Sequence, residues 1–278
     1  MGTARARQSA GDWKIFNVAD TNDDGLADLH WISLSTNQMA VWLMHGAHVL
    51  APGRAIPGPP GTGWTAVTTA DFNRDGFNDV IWTNTERDTA AVWLLSGTHL
   101  LAPGPEIAGP PGHGWVVGNA GDTNGDGMGD AVWYDSTTSR AAVWLMNGAR
   151  LLAPGPPIPA PPGTGWQLTN VADANGDNLA DIFWSNPDTN TMAVWLLNGA
   201  QLLAPGPEIP GPPGEGWIAI TAADFNRDGM SDMILDEPPQ RHHGRVADER
   251  RAAARARAGD PGATRRGLGH RICRRHQR

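Results

Sequence analysis

The chain has 278 residues, with 35 glycines, 23 prolines, 13 tryptophans and a formal net charge of −8. Its apolar runs all fall well short of the ~20 residues a membrane-spanning helix needs, and a single cysteine, Cys273, excludes a fold held by disulfides. Residues up to Leu235 hold 24 Asp and Glu against 9 Lys and Arg, and the last 43 hold 12 Arg against 5 acidic side chains; so acidic a body argues against nucleic acid and anionic membranes as partners and in favour of cations.

Residues 1–12 form an N-terminal extension, and with no apolar stretch there no signal peptide is read. From Trp13 onward the chain repeats. The strings "DTNDDGLAD" (20–28), "DFNRDGFND" (71–79), "DTNGDGMGD" (122–130), "DANGDNLAD" (173–181) and "DFNRDGMSD" (224–232) begin 51 residues apart, without insertions. All thirteen tryptophans keep that period. Trp13, Trp64, Trp115, Trp166 and Trp217 precede the loops; Trp31, Trp82, Trp133 and Trp184 follow them, and so do Trp42, Trp93, Trp144 and Trp195. The units are 13–63, 64–114, 115–165, 166–216 and a partial 217–235. Glycine and proline recur at fixed places in each unit, which excludes both a low-complexity chain and the three-residue period of collagen.

The third unit shows the predicted elements. "WVVGNAG" (115–121) is a strand running into the loop, and "DAVWYD" (130–135) is the strand that leaves it. A polar turn at "STTS" precedes "RAAVWLM" (140–146), which "NG" (147–148) joins as a hairpin to "ARLLA" (149–153). These runs are too short for helices and lack helical spacing. Strand three is apolar on both faces, so each sheet is expected to be covered on both sides. The fold class is all-β, a β-propeller of four-stranded antiparallel blades, preferred over a β-solenoid because of the hairpin signals. Four complete blades and a partial fifth are expected to give either a strained five-blade arrangement or an unclosed ring that self-associates.

Each nine-residue loop carries oxygen donors at positions one, three, five and nine, and the carbonyl at position seven can join them. The candidate ligands are Asp20, Asn22, Asp24, Leu26 and Asp28 in the first loop, and Asp71, Asn73, Asp75, Phe77 and Asp79 in the second. Asp122, Asn124, Asp126, Met128 and Asp130 follow in the third, Asp173, Asn175, Asp177, Leu179 and Asp181 in the fourth, and Asp224, Asn226, Asp228, Met230 and Asp232 in the fifth. Hard oxygens on a flexible loop, without His or Cys, suit Ca2+ better than Zn2+ or Mg2+, so up to five structural calcium ions are expected. Position six is glycine in four copies and Asn178 in the fourth, a residue that tolerates the left-handed turn. An EF-hand is excluded, since position twelve is Trp or Leu where its bidentate Glu belongs. Simple Asx-turns explain one or two such residues, not three carboxylates with an amide.

The pattern "DxNxDGxxD", a short Trp strand, and then "AVWLMNG" or "AVWLLNG" together resemble the bacterial FG-GAP/VCBS repeat family over residues 13 to about 235. The resemblance implies four-stranded blades with calcium between the first two strands, on one rim. It also implies extracellular or envelope placement and a role in adhesion or ligand binding. Propellers of that family are commonly seven-bladed, and this chain supplies four and a half units.

The expected function is that of a calcium-binding extracellular binding or adhesion module, with a glycan or protein ligand on the cell surface or matrix. The alternative is a calcium-dependent lectin, in which Trp13, Trp64, Trp115, Trp166 and Trp217 are read as the exposed, sugar-stacking set and the strand-three tryptophans as core. Self-association through unpaired blade edges is expected as well. With no nucleophile elbow, phosphate loop or zinc spacing, and no irregular insertions, the chain is expected not to be an enzyme.

The tail, 236–278, reads as a frameshifted continuation of the repeat and is expected to be disordered. Val246 to Arg250 can be written GTG GCT GAT GAA CGG, which in the next frame reads "WLMNG", the string at 144–148. Leu235 and Leu268, each before a G-initial codon, can hide tryptophan in register. The tail's Arg-rich, nucleic-acid-like composition then has no selected role.

Overall fold

The computed structural model of the chain describes residues 12–213 and 217–236. The first unit holds β1 (Trp13–Ala19), β2 (Asp28–Ser33), β3 (Gln38–His45), β4 (His48–Pro52) and β5 (Ile56–Pro57). The second holds β6 (Trp64–Ala70), β7 (Asp79–Asn84), β8 (Thr89–Ser96), β9 (His99–Pro103) and β10 (Ile107–Ala108). The third holds β11 (Trp115–Gly121), β12 (Asp130–Asp135), β13 (Arg140–Asn147), β14 (Arg150–Pro154) and β15 (Ile158–Pro159). The fourth holds β16 (Gln167–Ala172), β17 (Asp181–Asn186), β18 (Thr191–Asn198), β19 (Gln201–Pro205) and β20 (Ile209–Pro210), and the fifth only β21 (Ile218–Ala223) and β22 (Asp232–Asp236). Among the described residues there is no helix. The expectations placed on residues 1–11 and 237–278, including the frameshift and the disorder, lie outside those described.

Each complete unit is an antiparallel sheet in which strands one to four follow in order. The linker adds a short fifth strand that the sequence reading missed. It pairs with the same edge of strand three as the fourth strand does: Trp42 lies opposite Pro52, and Gln38 opposite Pro57. The outermost strand is therefore one line in two pieces, interrupted by "PG". At the break the Gly104 amide donates to the Val92 carbonyl at 3.0 Å, and Gly53, Gly155 and Gly206 repeat the contact. A Cβ on Gly104 would stand 2.2 Å from that carbonyl oxygen, so only glycine fits.

The hairpin between strands three and four is placed one residue later than "NG" suggests. Asn147 still pairs with Arg150, leaving Gly148 and Ala149 as the central residues. Gly148 sits at φ 59°, and Gly46, Gly97 and Gly199 lie between 55° and 60°. Positive φ at the first central position alone is the signature of a type II′ turn, which demands glycine there.

The sheets stack by burying tryptophan. Trp133 and Trp144 of the third unit share one face, with ring centroids 5.2 Å apart. They pack in one core with Phe72, Ile81, Val92 and Ile107 of the second unit. The next junction joins Val132, Val143 and Ile158 to Trp184 and Trp195, and the first joins Ile32, Val41 and Ile56 to Trp82 and Trp93. Both faces of a middle sheet are thus covered, which is why strand three carries no polar alternation. The first strands follow one another from β1 through β6, β11 and β16 to β21, and among the described residues the sheets do not close into a ring.

Candidate metal loops and the blade rim

Within each loop the position-one carboxylate is turned inward by the backbone. Asp71 Oδ1 accepts the amides of Asn73 and Asp75, each at 3.2 Å, and its Oδ2 accepts that of Gly76 at 2.8 Å. The side chain of Asn73 donates to Asp75 Oδ2 at 2.9 Å, while Asp75 Oδ1 accepts the Phe77 amide at 2.9 Å. The same bonds join Asp20, Asn22, Asp24 and Leu26, and also Asp173, Asn175, Asp177 and Leu179. Asp122, Asn124, Asp126 and Met128 repeat them. In the fifth loop Asp224 Oδ2 accepts Gly229, Asn226 Oδ1 accepts Asp228, and Asp228 Oδ1 accepts Met230. The backbone amide of Gly229, foremost among several, holds Asp224 below the usual carboxylate range.

These bonds need a sharp turn at position six, where Gly25, Gly76, Gly127 and Gly229 have φ between 80° and 87°. Asn178 adopts the same left-handed region at 65°, as the sequence predicts for it. Positions one, three and five are therefore brought together in every copy.

Position nine has a second role that side-chain spacing did not reveal. Asp28, Asp79, Asp130 and Asp181 are fully buried. Asp79 Oδ2 accepts the Phe72 amide at 2.9 Å and its Oδ1 accepts the Leu95 amide at 2.8 Å, so one carboxylate ties the loop to strand three. Asp28 takes Thr21 and Met44 in the same way, Asp130 takes Thr123 and Met146, and Asp181 takes Ala174 and Leu197. Asp232 makes the loop contact too, from Phe225 at 3.3 Å. Apart from the Thr123 hydroxyl, which also donates to Asp130 Oδ2 at 2.6 Å, these partners are backbone amides, so no residue type announces them. Burial, the largest influence, pushes Asp79 up to about 7 and Asp130 and Asp181 up to about 6.

The donor chemistry fits a hard cation, with two carboxylates and an amide per loop beside the position-nine group. A carboxylate that accepts one amide on each oxygen still has lone pairs to offer. In the first loop Asn22 Oδ1 is buried without a hydrogen-bond partner. Among the described residues, however, no cluster of three or more Asp, Glu, His or Cys side chains is assembled as a metal centre.

Neighbouring loops are stitched into one rim. The Gly129 amide donates to the Asp71 carbonyl, Ala180 to Asp122 and Ser231 to Asp173, each at 2.7 Å. Asn78 Nδ2 reaches the Asp20 carbonyl at 2.7 Å, and Arg74 reaches that of Asp126 at 3.1 Å.

The tryptophans that open each unit are not the exposed set the sequence reading made them. Trp64, Trp115 and Trp166 are buried, and Trp13 and Trp217 half-buried. Trp64 Nε1 donates to the Pro60 carbonyl at 3.2 Å and Trp166 Nε1 to Pro162 at 3.1 Å, so the proline-rich linker folds back over its own tryptophan. Of the strand-three set, Trp93, Trp144 and Trp195 are buried and Trp42 is half-buried. A groove of 570 Å³ does open between the second and third units, lined by Glu106, Ile107, Trp144, Arg150 and Leu151 among others.

A sequence model of the FG-GAP-like repeat matches residues 20–82, 71–133, 122–184 and 173–235 in tandem. The chain belongs to the FG-GAP-like repeat family. No curated protein matches it. Among solved structures, this FG-GAP-like chain is similar to the periplasmic gluconolactonase PpgL of Pseudomonas aeruginosa, with 14% identity and a TM-score of 0.53 over 82% of this chain and 58% of that one. A protein of unknown function from Bacteroides caccae aligns at 15% identity and a TM-score of 0.44 over 72% of this chain and 62% of that one. The FG-GAP-like chain thus spans about three fifths of the length of these two structures.

The gluconolactonase corrects the expectation that the chain is not an enzyme. That expectation rested on the missing catalytic motifs and irregular insertions, and a similar propeller-like fold is that of an enzyme. At this identity the likeness shows the fold alone and assigns this FG-GAP-like chain no reaction.

Proposed function

We propose that the chain is a calcium-binding FG-GAP-like propeller module whose metal is structural and whose surface binds a ligand. The observation that carries the reading is the first loop, where the buried, unpartnered Asn22 Oδ1 lies in a turn held by Asp20 and Asp24. Bound Ca2+ would supply the positive charge that lets neighbouring carboxylates ionise together. Positions one, three, five and nine would hold it, with the position-seven carbonyls of Leu26, Phe77, Met128, Leu179 and Met230 in the five loops. Placement outside the cell or in its envelope, and a glycan or protein partner there, belong to the same reading.

Calorimetric titration with Ca2+ tests it. Several weak sites are expected, with dissociation constants on the order of 0.1–1 mM, since the loops lack a bidentate Glu. Asp126→Ala should remove one site and leave the others. Absence of a binding isotherm would overturn the metal assignment.

For the ligand, the groove beside Trp144 and Arg150 replaces the buried first-strand tryptophans as the contact surface. A glycan array with and without calcium separates a lectin from a protein-binding module. Calcium-dependent sugar binding lost in Arg150→Ala supports the lectin, and a blank array leaves the protein partner.

A further inference from the structure

The two ends of the blade series carry residues that every internal junction buries. Trp31, Trp42 and Met44 of the first unit are only half-buried. At the same repeat positions Trp82, Trp133 and Trp184 are 0% exposed, Trp93, Trp144 and Trp195 between 4% and 6%, and Leu95, Met146 and Leu197 0%. At the other end Phe225 is 55% exposed and Ile234 39%, whereas Phe72 and Ile81 at the equivalent positions of the second unit are 0% exposed. Where the second unit meets the third, Phe72 and Ile81 share one core with Trp133, Trp144 and Met146. One end therefore presents the Trp–Trp–Met half, and the other the Phe–Ile half, of a junction the chain already makes within itself.

We propose that the chain associates head to tail, the face of Trp31, Trp42 and Met44 in one copy seating on the face of Phe225 and Ile234 in a second copy. The occupant is a second copy because Phe225 and Ile234 stand at the repeat positions of Phe72 and Ile81, which cover the equivalent tryptophan face inside the chain. Continuity with that repeated junction gives the geometry, sheet face on sheet face, as opposed to pairing of open strand edges. The contact joins two different surfaces, so it is heterologous, and each copy keeps one free face for the next. It rests on the stacking of the units and not on the metal reading.

Light scattering of the full chain over a concentration series, in calcium and in chelator, is the first measurement. Mass that rises with concentration is expected, and a monomer throughout overturns the proposal. Trp42→Glu spoils one face and Phe225→Glu the other. Each variant alone should be unable to extend beyond a monomer, yet an equal mixture should give a 1:1 dimer, because each retains the face the other lacks. Continued self-association of either single variant, or a monomeric mixture, overturns the proposal; the first outcome points to edge pairing instead. Met44→Glu serves for the first face if Trp42→Glu loses its far-UV strand signal. Calcium titration of the same samples keeps the two readings apart: association that persists without calcium binding sinks the metal assignment alone.

Discussion

His30 occupies the repeat position held by Ile81, Val132 and Phe183, and it is just as buried, edge-on to Phe16 with centroids 5.9 Å apart and 3.0 Å from the Thr21 hydroxyl. Burial pushes its pKa down to about 4. The folded value lies below the unfolded one, so its contribution to stability is complete above about 6.5 and is lost as the pH falls toward 4. His30→Ile should therefore be increasingly more stable than the parent chain across that window, by up to about 3 kcal/mol at full titration. Denaturant melts of both chains at pH 7 and pH 4.5 check it; an unchanging gap would mean that the imidazole is solvated. Asp130 is a second such test. Asparagine keeps one oxygen and loses the other, leaving the Thr123 or Met146 amide orphaned, so Asp130→Asn should cost ~1–3 kcal/mol even with no cation present. A melt in chelator measures that pinning role apart from any metal.

At the level of the elements, the first four strands of each unit, their order and their period were legible because each has its own tryptophan or turn residue, repeated in register. The loop turn was legible down to Asn178, whose chemistry fits a left-handed residue. The split outer strand was not, since "IP" between two proline-glycine pairs has no pattern of its own and pairs only because strand three offers it an edge. The tie from position nine to strand three was hidden because its partners are amides, and a carboxylate at the end of a loop reads the same whether it faces a cation or a backbone. The opening tryptophans were misplaced because a linker rich in glycine and proline reads as solvent-facing, yet its carbonyls cap those indoles. Two glycines separate turn strain from packing. Gly148 has open space where a Cβ would go, so Gly148→Ala meets only its positive φ and should cost ~1–2 kcal/mol. A Cβ on Gly109 would lie 2.5 Å from the Asp88 carbonyl and 2.9 Å from the Trp133 ring, so Gly109→Ala should lower the melting temperature further. The reverse order in thermal melts would contradict the linker packing.

At the scale of the whole stack, the worth of a residue depends on where its unit stands, because each unit is stabilised by its neighbours. Trp133 is fully buried between two units, and Trp31, its counterpart in the first, is only half-buried. Trp133→Ala should cost ~3–5 kcal/mol, and Trp31→Ala clearly less; equal losses in denaturant melts would show the first face to be covered as the inner ones are. The proposed metal would act on the same scale. At 1–2 mM free calcium a site with a dissociation constant near 0.1 mM would contribute ~1.5 kcal/mol, and several together would rival the ~5–15 kcal/mol of a typical domain. The most direct measurement is therefore the thermal melt of the full chain in millimolar calcium, in excess chelator, and in chelator with magnesium restored. The account predicts a large fall in melting temperature on chelation that magnesium does not reverse; an identical melt in all three would contradict it.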